Sequence, residues 1–431
     1  MNIKKEALTG DLMKDELGST GLVVYGETID EEFLDKLKGD EGKKYYTQMR
    51  DNDAVVSAIM FVIETLVRGV NFEIEPYDQT NESLKRAEFV QQCLHDLNIP
   101  LKEVIAEILS FLVYGFDIHE IVYKKRGGYS RDPRINSKHS DGGYGWRKLA
   151  PRKQTTLTGW NFDEYGEVGG VYQSASPTYI KILIPAERYL HFKTTGAGGN
   201  PEGKSMLRGA WWAWYTKQKL EIIEGIGAER DLAGLPVMYV PPQLLVSNPS
   251  ESDATLLVAI KNILKNIRRD TQEGLVVPQS YNEQGKKEYE FSLVSSAGSR
   301  QFDTNTIINR KKQEIAITTL CDFILIGHEA VGSFALVSSK THLFATALGA
   351  FLDLITDVFN GTGIPRLLRL NNMPVEDAPK MVHGDIETPD LPELGAFIAS
   401  LASAGMELFP DDKVEAYLRR SAGLPQKEVV E

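Results

Sequence analysis

The feature that most constrains the fold is a proline-free stretch of good helix formers at residues 203–235. Ser205 stands where a helix N-cap is expected, so we predict a helix over residues 206–231. At about 1.5 Å per residue, this helix would be roughly 39 Å long. Its first half carries tryptophans on more than one face, within residues 210–214, whereas its second half thins to small residues around Gly225. This pattern predicts that one half lies inside a domain and the other packs closely against a neighbouring helix.

Composition excludes several classes of protein. The chain has 431 residues, of which 42% are hydrophobic and 25% charged, and these are ordinary values for globular domains. Its net charge of -12 disfavours a groove that binds nucleic-acid phosphates tightly. The cysteines, Cys93 and Cys321, both lie in helix-like apolar patterns, which predicts reduced core residues in a cytosolic protein. We see neither the apolar core of a signal peptide nor a run of about 20 apolar residues, and therefore expect no membrane span.

The first half of the chain predicts an α+β domain with an antiparallel sheet, over residues 50–202. Residues 1–49 are polar and glycine-punctuated, and they predict an arm with a short helix at 30–38. Hydrophobic periodicity then predicts elements in this order: helix 51–68, strand 70–75, helices 82–97 and 101–114, strand 116–126, a loop at 127–145, and strands 146–149, 155–160, 168–173, 179–185 and 188–194.

The second half predicts a small β-rich module, at residues 233–298, between two long helices. Within it, strands are predicted at 236–241, 274–279 and 289–295, with a helix at 252–269. The second of these helices is predicted at 302–326, and a loop of small residues follows it. A third long helix is predicted at 341–359. Two short helices are predicted within the tail, residues 389–431, around 394–404 and 411–422.

The strongest motif match is Gly198-x-x-x-x-Gly203-Lys204-Ser205, the letters of a phosphate-binding P-loop. In such a loop, backbone amides and the lysine hold phosphates while the serine hydroxyl holds magnesium. The preceding strand is too polar for the central strand of a nucleotide-binding sheet, and no alternating βα units precede it. The alternative interpretation is a glycine-rich entry into a capped helix.

No other motif predicts catalysis, a cofactor or a metal site. The seven histidines lack metal-ligand spacing, and Ser333 is not in a nucleophile elbow. His119 alternates out of a strand and is expected at the surface. We therefore expect a protein that is not an enzyme.

A basic cluster, Arg310, Lys311 and Lys312, falls within the second long helix. Two interpretations are open: contact with a phosphate backbone or with another subunit, and a solvated helix face paired with the many acidic residues. The tryptophans at 210–214 favour a core role over a base-stacking platform, because no basic residues are interleaved with them.

Taken in order, these segments resemble the portal proteins of tailed bacteriophages, in particular the Mu-type branch. The resemblance covers roughly residues 45–375. It is carried by these stretches: DNDAVVSAIMFVIETLVRG (51–69), GKSMLRGAWWAWYTKQ (203–218) leading into ERDLAGLPVMYVP (229–241), QFDTNTIINRKKQEIAITTLCDFILIG (301–327), and ALGAFLDLITDVFNGTGIPRLLRLNN (347–372).

The resemblance implies a portal-like α+β fold and a ring, usually of twelve subunits, at one capsid vertex. The ring is the channel for DNA packaging and ejection and the connector between head and tail. The implied division of this chain is an N-terminal arm (1–49), an α/β wing (50–202), stem helix 1 (203–232), a β-rich clip (233–298), stem helix 2 (299–326), a tunnel loop (327–340), a long wing helix with its following segment (341–388), and a short helical tail or crown (389–431).

The resemblance also implies partners and a place of action. The implied partners are identical subunits, the terminase large subunit, a head-completion or adaptor protein, a major capsid or scaffold protein, and double-stranded DNA passing without sequence specificity. The implied location is the virion, after assembly in the host cytoplasm, without a membrane. The tunnel-loop residues that would face DNA are Glu329, Ser333, Ser338, Ser339 and Lys340.

An acidic subunit suits a channel, because each phosphate that a protein grips adds salt-dependent affinity and friction. Two alternatives remain open at this stage. One is a P-loop nucleotide-binding enzyme built on residues 198–205. The other is a tail or capsid scaffold of similar helical build that lacks an open axial channel.

Overall fold

The computed structural model describes residues 21–163, 166–233, 235–246, 250–266, 281, 285, 287, 290–294, 303–328, 334–386, 391–406, 410–411, 414–415 and 418–419. The chain forms two compact units. The first combines the chain up to Trp211 with the part from Ile315 onward, and the second is Trp212–Glu314.

The fold mixes α-helices with small antiparallel sheets. The helices of the described residues are α1 (Gly39–Asn52), α2 (Ala54–Gly69), α3 (Asn81–His95), α4 (Leu101–Ile108), α5 (Ser110–Tyr114), α6 (Trp211–Ala233), α7 (Glu251–Asn266), α8 (Thr304–Thr318), α9 (Phe334–Val358), α10 (Ile364–Leu370) and α11 (Leu391–Ser403). The strands are β1 (Val24–Tyr25), β2 (Thr28–Ile29), β3 (Phe72–Glu75), β4 (Phe116–Lys125), β5 (Tyr144–Pro151), β6 (Leu157–Phe162), β7 (Val168–Ser174), β8 (Lys181–Pro185), β9 (Tyr189–Lys193), β10 (Leu235–Tyr239), β11 (Glu290–Val294) and β12 (Lys380–His383).

Two three-stranded antiparallel sheets form the centre of the first unit, in the orders β5-β4-β9 and β6-β7-β8. An apolar cluster joins them, because β4 contributes Phe116 and Ile118 while the other sheet contributes Trp160 and Val171. The Phe116 and Trp160 rings lie 5.4 Å apart. The core of this unit is therefore a layer between two sheets; the antiparallel pairing was predicted, whereas the division of the strands into two sheets was not.

Helices cover the opposite face of the β5-β4-β9 sheet. Phe359, in a π-helical segment that continues α9, contacts Trp146 of β5 and Phe192 of β9, with ring centroids 6.2 and 6.0 Å apart. Both faces of β4 are consequently buried. The expectation that His119 lies at the surface is wrong for this reason: its side chain is fully buried, and its Nε2 lies 2.6 Å from Oδ2 of Asp117.

The N-terminal segment differs from the predicted polar arm. Over the described residues it forms the β1–β2 hairpin, a single 3₁₀ turn at Asp35–Leu37 in place of the helix predicted at 30–38, and then α1. Ile29 joins the apolar cluster between the sheets, and the Trp160 amide donates to the Glu27 carbonyl. Arg208 donates two hydrogen bonds to the carboxylate of Glu32, at 2.6 and 2.8 Å. These contacts fasten the segment to the first unit.

The N-cap of α2 is Asp53, two residues after residue 51, where the sequence predicts that the helix begins. Its Oδ1 accepts the amides of Val55 and Val56 at 3.0 and 3.1 Å, so two otherwise unsatisfied donors of the first helical turn are paired. Asp51 and Asn52, which the residue pattern also offers as caps, belong instead to the last turn of α1.

The helix predicted over residues 302–326 ends earlier, at Thr318. Leu320 has a left-handed φ of 59°. The Cys321 amide donates to Ala316 and the Leu320 amide to Ile317, at 2.8 and 3.0 Å. This is a Schellman stop, normally made with glycine, and the absence of glycine is why the pattern concealed it. A 3₁₀ segment, Asp322–His328, follows.

The third long helix also departs from its predicted start, because α9 begins at Phe334 and not at residue 341. Phe344, Leu348 and Leu352 on this helix are buried. Within the described residues, the helical segment Lys340–Leu370 is long and apolar enough to cross a membrane by length and composition alone. Core helices of globular domains meet the same criterion.

The tail contains α11, and most of the second tail helix predicted at 411–422 lies outside the described residues. Both cysteines are free and buried, as their apolar surroundings predicted.

The second unit, taken by itself, contains most of α6, then β10, α7, β11 and α8. Strands β10 and β11 pair antiparallel, with Val237 opposite Ser292. The Thr304 hydroxyl at the start of α8 donates to a Glu224 carboxylate oxygen of α6 at 2.6 Å. The strand predicted near residues 274–279 lies outside the described residues.

Candidate channel and assembly surfaces

The glycine-rich segment at 198–205 is packed against the turn between α5 and β4. A Cβ on Gly115 would lie 2.3 Å from the Glu202 carbonyl oxygen, and one on Gly203 would lie 2.4 Å from the Gly115 carbonyl oxygen. Both glycines have positive φ, at 94° and 57°. Two backbones therefore touch here, and only glycine permits the contact.

The polar groups of this loop are already occupied by the protein. Thr194 Oγ1 accepts the Lys204 amide at 2.7 Å, and the Asn200 side chain accepts the Glu202 amide at 2.8 Å. Ser205 is buried, and its hydroxyl donates to the Val113 carbonyl at 2.5 Å and accepts the Leu207 amide at 3.1 Å. Amides and a hydroxyl used in this way cannot cradle phosphates or hold magnesium.

The neighbouring sheet contradicts the P-loop interpretation as well. The strand before the loop is β9, which pairs antiparallel with β4, whereas a P-loop follows a strand of a parallel sheet. His191 of β9 fastens the loop, because its Nε2 donates to the Pro201 carbonyl at 2.8 Å while its ring lies 5.3 Å from that of Trp160. Burial lowers the pKa of His191 to about 4. The segment is thus a structural entry into α6.

A cavity of about 370 Å³ lies beside this loop and under the N-terminal segment. Its lining includes Lys204, Arg208, Glu31, Glu32 and Glu202. Within this lining, Glu32 and Arg208 form an ion pair. Trp160 Nε1 donates to Glu202 at 3.1 Å, and burial raises the pKa of the Glu202 carboxyl. Three of the charged side chains of the lining are therefore engaged by groups of the same chain.

The basic cluster predicted for contact with DNA or another subunit lies on α8. Lys311 Nζ lies 2.6 Å from a Glu314 carboxylate oxygen, and Arg310 Nε lies 3.8 Å from the other. Arg310 is 64% exposed and Lys312 is half-buried. The ion-pair interpretation therefore describes Arg310 and Lys311, and exposure leaves Arg310 accessible to an anion as well.

The predicted tunnel loop at 327–340 is partly helical. Ser338, Ser339 and Lys340 belong to α9, and Lys340 forms an ion pair with Asp322. Glu329 and Ser333 lie outside the described residues. Lys340 is thus engaged by a carboxylate of its own chain, a contact between residues 18 positions apart that the sequence did not reveal.

An exposed apolar stripe runs along α6 within the second unit, and it is the feature that the residue pattern indicated least clearly. Ile222, Ile223 and Ile226 are 57%, 60% and 46% exposed. Trp212 is 65% exposed, although we expected these tryptophans in the core, whereas Trp211 and Trp214 are buried. Three large aliphatic side chains exposed on one helix form a candidate surface for contact with another chain.

Other chemistry is not assembled in the part of the chain that the structure describes. No group of three or more His, Cys, Asp or Glu side chains there could hold a metal ion. The buried Asp117 accepts a 2.7 Å hydrogen bond from the Gln154 amide, which places it in the packing of the sheet.

Comparisons with known proteins agree with the resemblance seen in the sequence. The family described as the portal protein of Mu bacteriophage matches residues 44–424. The structures that are similar include a chain in the neck of an empty gene transfer agent particle, at 12% identity and a TM-score of 0.49, covering 89% of this chain and 94% of that one.

A second similar structure is an HK97 family phage portal protein from Corynebacterium diphtheriae, at 13% identity and a TM-score of 0.43. That match covers 77% of this chain and 92% of the other. The family match extends over most of the chain, from α1 into the tail. The chain therefore belongs to the family of portal proteins of Mu bacteriophage.

Proposed function

We propose that this chain assembles into a ring at a capsid vertex, and that the ring is the channel for packaging and ejecting DNA. The observation that carries the proposal is membership of the portal family over residues 44–424. The partners proposed with it are a terminase large subunit, a head-completion or adaptor protein, and a capsid or scaffold protein. Its location would be the virion, after assembly in the host cytoplasm.

The division of the chain is part of the same proposal. In it, residues 50–202 are the wing, α6 and α8 belong to the stem, and residues 233–298 are the clip. The tunnel loop shortens to residues 327–333, because α9 begins at Phe334. What supports the assignment of the stem is the pairing of α6 with α8 through Glu224 and Thr304 in the second unit.

Ring formation requires a surface that one subunit presents to the next, in a head-to-tail arrangement that closes. The stripe on α6, Ile222, Ile223 and Ile226, supplies apolar area for such contact. Gly225 lies beside the stripe, and the space next to it is open, since a Cβ added there would meet nothing within 4 Å. A helix of the neighbouring subunit could therefore approach α6 closely at this point. We place the contact between subunits along this stripe.

The test is the native mass of the purified protein together with negative-stain imaging. Twelve chains of 48.1 kDa have a mass of about 577 kDa, and a ring with a central hole is expected. Ile223→Asp is expected to shift the population to smaller species, because it places a charge in an apolar contact. Leu84→Asp is the matched control: Leu84 is an exposed helical residue of α3, at 41%. The proposal is contradicted if the wild type forms no rings at any concentration and still forms none when capsid proteins are added.

A further inference from the structure

Positive charge is concentrated in one loop of this acidic chain. Between Lys124 and Lys148 there are eight lysines and arginines and only two acidic residues, whereas the whole chain has a net charge of -12. Four of these eight cations and both acids lie in residues 126–143, the loop that joins β4 to β5 within the first unit, and the other four cations lie on those two strands. We call residues 126–143 the basic loop.

Buried contacts hold the basic loop in one conformation. Lys124, 4% exposed, donates to the carbonyls of Asp96 and Asn136 at 2.5 and 2.7 Å. The Asp96 carboxylate accepts the Ser137 hydroxyl and the Lys138 amide at 2.7 and 2.9 Å. The loop is therefore fastened at its middle to the end of α3.

A second set of contacts holds the ends of the loop. Arg126, 1% exposed, donates to the Gln92 side chain at 2.6 Å and lies 2.7 Å from an Asp141 oxygen. Its guanidinium also lies 4.6 Å from the centre of the Phe89 ring. Because the loop is already ordered, a ligand that binds it does not have to offset the loss of conformational entropy of the loop.

The exposed groups of the basic loop include cations and an aromatic ring. Its acidic residues are both neutralised, Asp132 by Arg134 at 2.8 Å and Asp141 by Arg126. Arg131 is exposed, as is Lys125 at the end of β4, and neither has a partner among the described residues. Tyr129 is 88% exposed. An approaching anion thus meets free cations and no free carboxylate.

We infer that the basic loop binds the phosphate backbone of double-stranded DNA without sequence specificity. The guanidinium group of arginine and the ammonium group of lysine are the usual contacts to phosphate, and an exposed tyrosine hydroxyl can add a further contact. A duplex carries one charge per about 1.7 Å, a density that an acidic peptide does not reach. The inference goes beyond the proposed channel, because a DNA contact on this loop does not require a ring.

The test is fluorescence anisotropy of a labelled 30-base-pair duplex of random sequence, titrated with the full chain between 50 and 200 mM NaCl. Lys125→Gln with Arg131→Gln is expected to weaken binding about tenfold at 50 mM and to make the salt slope shallower by about two. The matched control is Lys85→Gln with Lys102→Gln, two exposed lysines of the same unit. Its affinity is expected to stay within about twofold of the wild type.

Three results would overturn the inference. The first is no binding by the wild type at 50 mM NaCl. The second is an equal loss in both double variants, which would mean diffuse attraction and not a defined surface. The third is that polyglutamate binds the wild type more tightly than the duplex does at equal charge, and that the Tyr129→Ala variant no longer binds polyglutamate. This result would identify an acidic protein as the partner. Ring imaging is independent of all three outcomes, so a failure here is distinguishable from failure of the proposed channel.

Discussion

At the scale of single residues, the structure uses histidines and a leucine in ways that their neighbours along the chain do not indicate. His191 is held neutral between a carbonyl and the Trp160 ring, and burial lowers its pKa from 6.5 to about 4. His119 is buried beside Asp117. Leu320 takes a left-handed conformation that favours glycine. His191 and Leu320 each lead to a prediction below, and the burial of His119 explains why the surface position expected for it was wrong.

The His191 pKa predicts how stability depends on pH. As pH falls from 6.5 towards 4, the unfolded chain binds a proton at this residue while the folded chain does not, so stability present above pH 6.5 is lost. At pH 5 the loss is about 1–2 kcal/mol, because the two pKa values lie on either side of this pH. His191→Gln keeps a side-chain donor for the Pro201 carbonyl and is expected to remove this share. Urea unfolding at pH 7 and pH 5 measures it; an unchanged pH dependence in the variant would disprove the assignment.

The conformation of Leu320 predicts effects of opposite sign at one position. A left-handed non-glycine residue costs roughly 1–2 kcal/mol, and glycine loses about 0.5–1 kcal/mol through greater freedom in the unfolded chain. Leu320→Gly is therefore expected to leave the free energy of unfolding equal or up to about 1 kcal/mol higher. Leu320→Val is expected to lower it by about 1 kcal/mol or more, because a branched side chain fits this region poorly. Equilibrium unfolding of both variants decides, and a less stable glycine variant would contradict the reasoning.

At the scale of elements, helix types followed from periodicity while their ends followed from capping contacts. The Schellman stop after α8 combines a leucine with two backbone hydrogen bonds, and no residue type announces it. The N-terminal segment is a similar case, because its polar composition predicted an arm while Ile29 and Glu32 fasten it to the first unit.

The Glu32–Arg208 ion pair predicts how firmly this segment is held. Burial by itself raises the pKa of Glu32, but the hydrogen bonds from Arg208 and from the Leu34 amide, together with the nearby positive charges, leave the pKa lowered. Arg208→Met is therefore expected to make residues 21–38 more sensitive to proteases by several-fold, since the segment loses its charged fastening. Limited proteolysis followed by mass spectrometry measures the rate. Arg68→Met, which breaks a surface pair with Glu64 and Glu103, is the control and should cleave at the wild-type rate.

At the scale of the whole molecule, the chain divides into two units, and its acidic charge is unevenly distributed. The second unit exposes the apolar stripe on α6, and the first carries the basic loop. Our interpretation assigns these surfaces to different tasks: the stripe to contact between subunits and the loop to DNA.

Assembly predicts a change in hydrogen exchange along α6. In unassembled chains, amides near Ile222, Ile223 and Ile226 are expected to exchange readily, because exposed helices open locally at low cost. In assembled rings they are expected to exchange at least about tenfold more slowly, since the neighbouring subunit covers them. Strand β4 should change little, because Phe116 and Ile118 are already buried. Equal exchange of α6 in both states would place the subunit contact elsewhere.

The sequence by itself determined the order and type of the long elements, the antiparallel character of the first domain, the burial of both cysteines and the membership of the portal family. These follow from periodicity, turn chemistry and recurring stretches of residues, which act over short distances along the chain. Only the tertiary structure decided that His119 is buried, that the loop at 198–205 is closed to phosphate, and that Lys340 pairs with Asp322. Burial and pairing depend on which distant segment covers a residue, and local pattern carries no record of that segment.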